Sequence, residues 1–213
     1  MLVITGLKVM NEKQLEIMKK QPRVISYIAE LYIMIQKCKE SLAIANILNN
    51  HLLYSLNTRQ ILIESLTRSS AILLSSIIKD KDAISLLKVR NILQNEGKIC
   101  VPGYETKKKE ADDLIKKIDQ MLEGNYYDNE SVITWRDQYY AHFDKRWYSN
   151  GCLKDTNDDL CITVYNMVNL IAILEPLIEE LCKLFDIEIR ALQFESDVER
   201  FLEIVKAGEK YLN

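Results

Sequence analysis

The sequence predicts an all-α protein folded as a helical bundle, and three observations support that prediction. Apolar residues recur at alternating spacings of three and four over long stretches, which is the period of an amphipathic helix. Only 6 Gly and 3 Pro occur among 213 residues, so the chain has few turn formers and few connections. No segment shows the strict alternation of a half-buried strand. We therefore expect up to seven helices in a single domain over residues 1–213.

Two long helices are expected to open the bundle as antiparallel neighbours. The first spans Pro22–Asn50, with Pro22 in the first turn, where its missing N–H costs little. The second spans about His51–Ile78, and Arg59 and Ser70 fall where its apolar stripe should continue. The inner stripe of the first helix consists of Val24, Ile28, Leu31, Ile35, Cys38, Leu42 and Ala45.

The middle of the chain predicts three shorter helices separated by clear breaks. A helix over Ala83–Gln94 is followed by a loop over Asn95–Tyr104, which contains two glycines and a proline. A charged helix over Thr106–Leu122 then ends at Gly124-Asn125. A further helix is expected over Asn129–Tyr148, because Ser149-Asn150-Gly151 should stop it.

Two helices complete the predicted bundle. One begins near Asp158, and Pro176 should kink it without ending it, because the apolar pattern continues beyond the proline. The last helix spans about Leu192–Leu212, with Phe194, Val198, Phe201 and Val205 facing inward. The stripe of the first of these two helices consists of Leu160, Val164, Met167, Ile171, Leu174, Ile178, Leu181 and Phe185.

Charge and hydropathy limit the classes of partner. The net charge is −3, so the chain as a whole is not a basic nucleic-acid binder, and any RNA contact requires a local basic patch. The uncharged run Leu160–Leu174 is too short to span a bilayer. We expect a cytoplasmic protein that does not enter a membrane.

Five cysteines occur without a CxxC pair, which favours buried free thiols over a disulfide framework or a zinc knuckle. The sequence gives no pattern for a metal or another cofactor, so none is expected.

One segment, Trp135–Trp147, concentrates residues that can do chemistry. Arg136 tends toward the inner side of its predicted helix, and arginine is seldom buried there without a partner or a function. His142 lies six residues later, roughly 120° around the helix, with Tyr139 midway between the two. The other histidine, His51, lies at a predicted helix junction and fits a capping or surface role.

This pair matches the needs of RNA cleavage. RNA carries its own nucleophile, the 2′-hydroxyl, so the protein must move protons and neutralise the phosphate. Histidine has an unperturbed pKa of about 6.5, suited to proton transfer near neutral pH. Arginine offers a permanently charged planar fork for phosphate. One histidine per chain cannot easily be both acid and base, whereas two chains that bring His142 together can supply both.

The same residues resemble the R-x(4–6)-H motif of HEPN domains. Arg136-Asp137 and Ala141-His142, with Asp144 two residues further on, are similar to the motif of the abortive-infection U-type HEPN proteins. Leu66-Thr67-Arg68 through Asp80 and Ile84-Ser85-Leu86 also resemble that subgroup, and the similarity spans about Tyr27 to Leu184.

The resemblance implies a HEPN-like bundle that forms a homodimer with the two motifs facing each other. It implies a metal-independent endoribonuclease of a phage-defence or toxin–antitoxin system, with a possible antitoxin protein as partner. Arg136 would hold the scissile phosphate, His142 would transfer the proton and Asp137 would orient one of them. Tyr139 and Asp144 would support the site. Some HEPN toxins carry a tyrosine at the position of Asp144, which a partner nucleotidyltransferase modifies, so control of that kind is not implied here.

Two alternatives stay open at this stage. Lys145, Arg146 and Arg59 are candidate RNA contacts, although Arg59 fits a snorkelling or salt-bridged side chain better. The cluster Lys107-Lys108-Lys109 fits a solvated helix face. A non-catalytic helical interaction module of a defence complex would instead tie Arg136 into an internal salt bridge. In a plain dimerising helical protein, the motif would only hold helices together.

Overall fold

Six helices account for most of the described residues, which makes the protein an all-α helical bundle. The structure is a computed structural model and describes residues 12–50, 56–79, 84–124, 148–149, 152–153, 164–189 and 198–212. The helices are α1 (Glu12–Asn50), α2 (Leu56–Lys79), α3 (Leu86–Cys100), α4 (Tyr104–Gly124), α5 (Val164–Leu184) and α6 (Val198–Leu212).

The two long N-terminal helices are antiparallel, as expected. Only residues 51–55 separate α1 from α2, and the Cys38 thiol approaches the Ser70 carbonyl oxygen at 3.7 Å. Cys38 lies twelve residues before the end of α1, and Ser70 lies fourteen residues after the start of α2. Both are therefore roughly 20 Å from the connection, which only an antiparallel hairpin allows.

The first helix begins earlier than its sequence predicts. It starts at Glu12, so Pro22 lies inside α1 and the prediction of a helix that begins at Pro22 is wrong. The ten residues before Pro22 include Glu, Lys, Gln, Leu and Met, all strong helix formers, and they extend the helix backwards. Pro22 is exposed, so its missing bond to the carbonyl of Met18 leaves that oxygen at a helix surface.

The predicted loop over Asn95–Tyr104 is much shorter in the structure. α3 continues to Cys100, and Gly97 is buried inside the helix. A Cβ at Gly97 would lie 3.3 Å from the Tyr104 ring, so glycine allows the close approach of α4. Burial of the helical turn around Gly97 outweighs the weak helix propensity of glycine. The short connection between α3 and α4 contains Gly103, whose φ of 65° favours glycine.

Tyr148 is in a strand and not at the end of a helix. β1 (Tyr148–Ser149) pairs in antiparallel register with β2 (Cys152–Leu153), so the prediction that a helix reaches Tyr148 is wrong. Asn150-Gly151 separates the two strands, and this dipeptide is typical of two-residue hairpins as well as of helix ends. The rest of the predicted Asn129–Tyr148 helix lies outside the described residues.

One continuous apolar core joins the first five helices, and α6 packs against α1. All seven predicted stripe residues of α1 are buried, as are the α5 stripe residues from Met167 to Phe185. Pro176 lies inside α5, which continues to Leu184 as predicted. Ser70 is fully buried, and its hydroxyl donates a hydrogen bond to the Leu66 carbonyl at 3.0 Å, which satisfies it within the core.

In the described part of the chain, one segment is apolar and long enough to cross a membrane by length and composition alone. It is Thr58–Ile78 of α2, which contains three charged residues, Arg59, Glu64 and Arg68. Its C-terminal half belongs to the core of the bundle, with Ala71, Leu74, Ile77 and Ile78 buried. A core helix of a globular protein has this composition as well.

Candidate functional site

The predicted catalytic motif lies outside the described residues. This holds for Arg136, Asp137, Tyr139, His142 and Asp144, and also for Lys145 and Arg146. Arg59 is described, and it is half-buried near the start of α2. The motif therefore stays a prediction from sequence, and the structure describes the helices from which the segment leaves and to which it returns.

Those helices, α4 and α5, form an antiparallel pair. The Lys107 ammonium donates to the Asp186 carboxylate at 2.7 Å and to the Leu184 carbonyl at 3.0 Å. Ten residues further along α4, Lys117 bonds Glu180 at 2.6 Å. From the first contact to the second, the residue number rises along α4 and falls along α5. The C-terminal end of α4 and the N-terminal end of α5 therefore lie at the same end of the pair. The chain between them, which includes the motif, is thus joined to the bundle at one end of this pair.

Asp186 ends α5 in a conformation that requires a compensating contact. Its φ is 55°, the left-handed region that favours glycine. The N–H of Ile187 donates to the Cys182 carbonyl at 2.8 Å and that of Asp186 to the Lys183 carbonyl at 3.2 Å, the pattern of a Schellman cap. Lys107 also joins this helix end to α4 through the Asp186 carboxylate and the Leu184 carbonyl. Lys107 is therefore structural, while Lys108 and Lys109 are exposed, as a solvated helix face predicts.

Three cysteines of the helices are buried thiols. Cys38, Cys100 and Cys182 are outside any disulfide, as predicted for this composition. Burial raises the pKa of the Cys38 thiol to about 12. Burial, together with the charge of Glu179, raises the pKa of Cys182 to about 11. Both thiols are protonated at neutral pH, so neither is suited to act as a nucleophile.

A groove between α1 and α3 brings two cations and an aromatic ring together. The Arg23 Nε donates to the Tyr27 hydroxyl oxygen at 2.7 Å, and the Arg23 guanidinium carbon is 5.5 Å from the ring centroid. The Lys88 ammonium from α3 lies 5.0 Å from the same centroid. Arg23 is exposed, while Tyr27 and Lys88 are half-buried. The groove has a volume of about 550 Å³, which is within the range of ligand sites.

Local structure holds these side chains in place. Arg23 and Tyr27 are four residues apart on α1, so they lie on the same side of the helix, next to the buried Val24. Lys88 is in the first turn of α3, where its backbone N–H donates to the hydroxyl of Ser85, the N-cap, at 3.3 Å. Ser85 is itself fully buried, so the start of α3 is well anchored.

The groove is positive at one end. The hydrogen bond from Arg23 lowers the pKa of Tyr27; burial opposes this, and the charge of Lys88 lowers the pKa further. The acid that lines the groove, Glu96, is eight residues beyond Lys88 on α3, roughly 12 Å along the helix. The phenol pKa and the positions of the charges both indicate a positive potential around Tyr27.

Sequence reasoning missed this groove. The spacing of Arg23 and Tyr27 predicts that they are neighbours, but nothing in the pattern places Lys88 of another helix beside them. Only the packing of α1 on α3 brings the three side chains together. Within the described residues, no group of three or more His, Cys, Asp or Glu side chains is placed to hold a metal ion.

Comparison with known proteins adds no relative. No protein-family model matches the chain, and neither the curated proteins nor the solved structures contain a significant match.

Proposed function

We propose that the protein is a metal-independent endoribonuclease whose catalytic residues are Arg136 and His142. The observation that supports this is the pattern Arg136-Asp137-x-x-x-Ala141-His142-x-Asp144 in a chain that folds as an all-α bundle with two long antiparallel N-terminal helices. In this proposal the 2′-hydroxyl of RNA attacks the adjacent phosphorus, and the 5′-oxygen of the next nucleotide leaves. The products are a 2′,3′-cyclic phosphate and a free 5′-hydroxyl.

Each residue of the motif has one role in this reaction. Arg136 binds the scissile phosphate, whose charge it neutralises through a planar pair of N–H donors. His142 transfers protons, because imidazole titrates near neutral pH. Asp137 orients Arg136 or His142, and Tyr139 and Asp144 support them. Lys145, Arg146 and Arg59 are candidate contacts to the RNA backbone.

A homodimer completes the site in this proposal. Proton removal from the 2′-hydroxyl and proton delivery to the leaving oxygen need two groups, and two copies of His142 supply them. The proposed setting is a cytoplasmic phage-defence or toxin–antitoxin system, with RNA as substrate and an antitoxin protein as a possible partner. The α4–α5 pair, tied by Lys107 and Lys117, is the frame from which the motif-bearing segment extends.

The test is cleavage of total cellular RNA by the purified protein in the presence of EDTA. We expect fragments that end in 2′,3′-cyclic phosphate, and we expect that His142→Ala and Arg136→Ala each reduce the rate at least about a hundredfold. The matched control is His51→Ala, which removes the other histidine and should cleave at the wild-type rate.

The competing function is a non-catalytic helical interaction module. The net charge of −3 favours this alternative, because a protein that binds RNA usually has a basic surface. Absence of cleavage by wild-type protein, at concentrations where sedimentation shows a dimer, would favour the interaction module. Equal cleavage by wild type and His142→Ala would contradict the assigned catalytic residue.

A further inference from the structure

The groove between α1 and α3 presents positive charge that, among the described side chains, forms no ion pair between these helices. Arg23 donates to a neutral phenol, and Lys88 lies over the ring of the same residue. Two cations that share one aromatic side chain repel each other, so the arrangement gains from an incoming anion. Charge complementarity therefore points to a ligand that carries a negative group at this end of the groove.

The rest of the groove indicates what is attached to that anion. Val24, Leu87 and Ile92 provide apolar surface, and Asn91 and Asn95 lie one turn apart on α3 and are exposed. An apolar floor favours apolar side chains, and the two amides offer donors and acceptors that match a peptide backbone. The lining along α3 extends from Ser85 to Glu96, roughly 16 Å, which is the length of about five extended residues.

One feature argues against a nucleotide. The Lys88 ammonium lies over the Tyr27 ring, so a stacked base would have to displace it from that face. A peptide carboxylate needs no such displacement, because it would bind the two cations at the edge of the groove.

We propose that this groove is a docking surface for a partner protein, and that it binds an extended segment in which an acidic residue accompanies apolar residues. The carboxylate is held between Arg23 and Lys88, and the apolar residues pack on Val24, Leu87 and Ile92. This inference does not depend on the proposed ribonuclease activity, since the side chains that would bind the segment belong to α1 and α3.

The experiment is selection of binders from a random twelve-residue peptide library displayed on phage, with full-length protein as the target. We expect the selected peptides to combine at least one Asp or Glu with neighbouring Leu, Ile or Val. Representative peptides are then synthesised with a fluorescent label, and their Kd is measured by fluorescence anisotropy. For the double variant Arg23→Gln, Lys88→Gln, we expect the Kd to rise at least about tenfold, because two charge-assisted contacts are lost.

The matched control is the double variant Lys108→Gln, Lys109→Gln. It removes the same charge from exposed lysines of α4 that do not line the groove, and its Kd should stay within about twofold of wild type. His142→Ala should also bind as wild type does, so failure of the ribonuclease proposal would leave this result unchanged. Circular dichroism of each variant verifies the helical fold before binding is measured.

Three results would overturn the proposal. The first is a selection that enriches no peptides, or only peptides without acidic residues. The second is equal loss of affinity in the two double variants, since that would indicate attraction by net charge alone. The third is displacement of the bound peptides by adenosine monophosphate or by an unlabelled single-stranded oligodeoxynucleotide at micromolar concentration, which would assign the groove to a nucleotide.

Discussion

α1 carries cationic side chains to two neighbouring helices, and the two contacts are built in opposite ways. Toward α5, Lys39 and Gln36 both donate to the Glu175 carboxylate, at 2.6 and 2.9 Å. Toward α3, Arg23 and Lys88, which have the same sign, both contact Tyr27. The first contact is closed, since each charge has its partner within the fold. The second is open, because both of its charges contact one aromatic ring and line a groove.

The difference separates groups that hold the bundle together from groups that are available to a ligand. Burial alone would raise the pKa of Glu175, but hydrogen bonds from Lys39 and Gln36 and the charge of Lys39 outweigh it and lower the pKa. The carboxylate is therefore stabilised in its charged form by α1. Among the described residues, no carboxylate forms a salt bridge with Arg23 or Lys88. These two side chains therefore contribute little to stability and much to the local electrostatic potential.

The largest effect is expected from the apolar packing beside the closed contact. Ile35 precedes Gln36 on α1 and is fully buried, so Ile35→Ala should lower the free energy of unfolding by about 3–4 kcal/mol. Urea unfolding followed by circular dichroism measures this change. The control is Ile61→Ala on α2, where the side chain is 62% exposed and the loss should be below about 0.5 kcal/mol. Similar losses in the two variants would contradict the burial of this part of α1.

A smaller, pH-dependent effect is expected from the ion pair itself. Glu175→Gln should lower the free energy of unfolding at pH 7 by about 1 kcal/mol, because charge-assisted bonds from Lys39 and Gln36 are weakened. The pKa of Glu175 is lowered by folding, so its contribution is complete above the unfolded value of about 4.3 and is lost as pH falls through the folded pKa. Wild type and variant should therefore converge in stability at acidic pH.

The control for this measurement is Glu180→Gln, which breaks the more exposed pair with Lys117. The two side chains of that pair are 40% and 51% exposed, so solvent screens it and the loss at pH 7 should be smaller than for Glu175→Gln. A constant difference between wild type and Glu175→Gln from pH 7 to pH 3 would show that the carboxylate charge does not contribute.

The smallest effect on stability is expected at the open contact. Arg23→Gln and Lys88→Gln should each change the free energy of unfolding by no more than about 0.5 kcal/mol, because each removes a cation from a like-charged pair at the surface. Thermal unfolding of the single variants tests this. A loss above about 1 kcal/mol in either variant would mean that these residues join α1 to α3, and the contrast between the two contacts would disappear.

Much of the bundle could be predicted from local pattern. The stripe from Val24 to Ala45 and the stripe from Met167 to Phe185 appear in the structure as buried faces, since a period near 3.6 puts such residues on one side of a helix. The end points were less predictable. Taken locally, Pro22 indicates the start of a helix and Gly97 indicates the end of one. Both lie inside helices, because strong helix formers precede Pro22 and close packing surrounds Gly97.

The candidate sites also differ in whether local pattern or tertiary packing defines them. The pattern around Arg136 and His142 is a local property of the chain, so the sequence alone was enough to propose RNA cleavage and its test. Glu175 contacts Lys39 and Gln36, which precede it by 136 and 139 positions in the chain. The groove brings Tyr27 of α1 next to Lys88 of α3. Periodicity determines which face of a helix is buried, whereas the choice of neighbouring helix depends on how those faces pack together. The sequence by itself therefore determined the helices and the chemical motif, and only the tertiary structure decided which charges are neutralised and which face a groove.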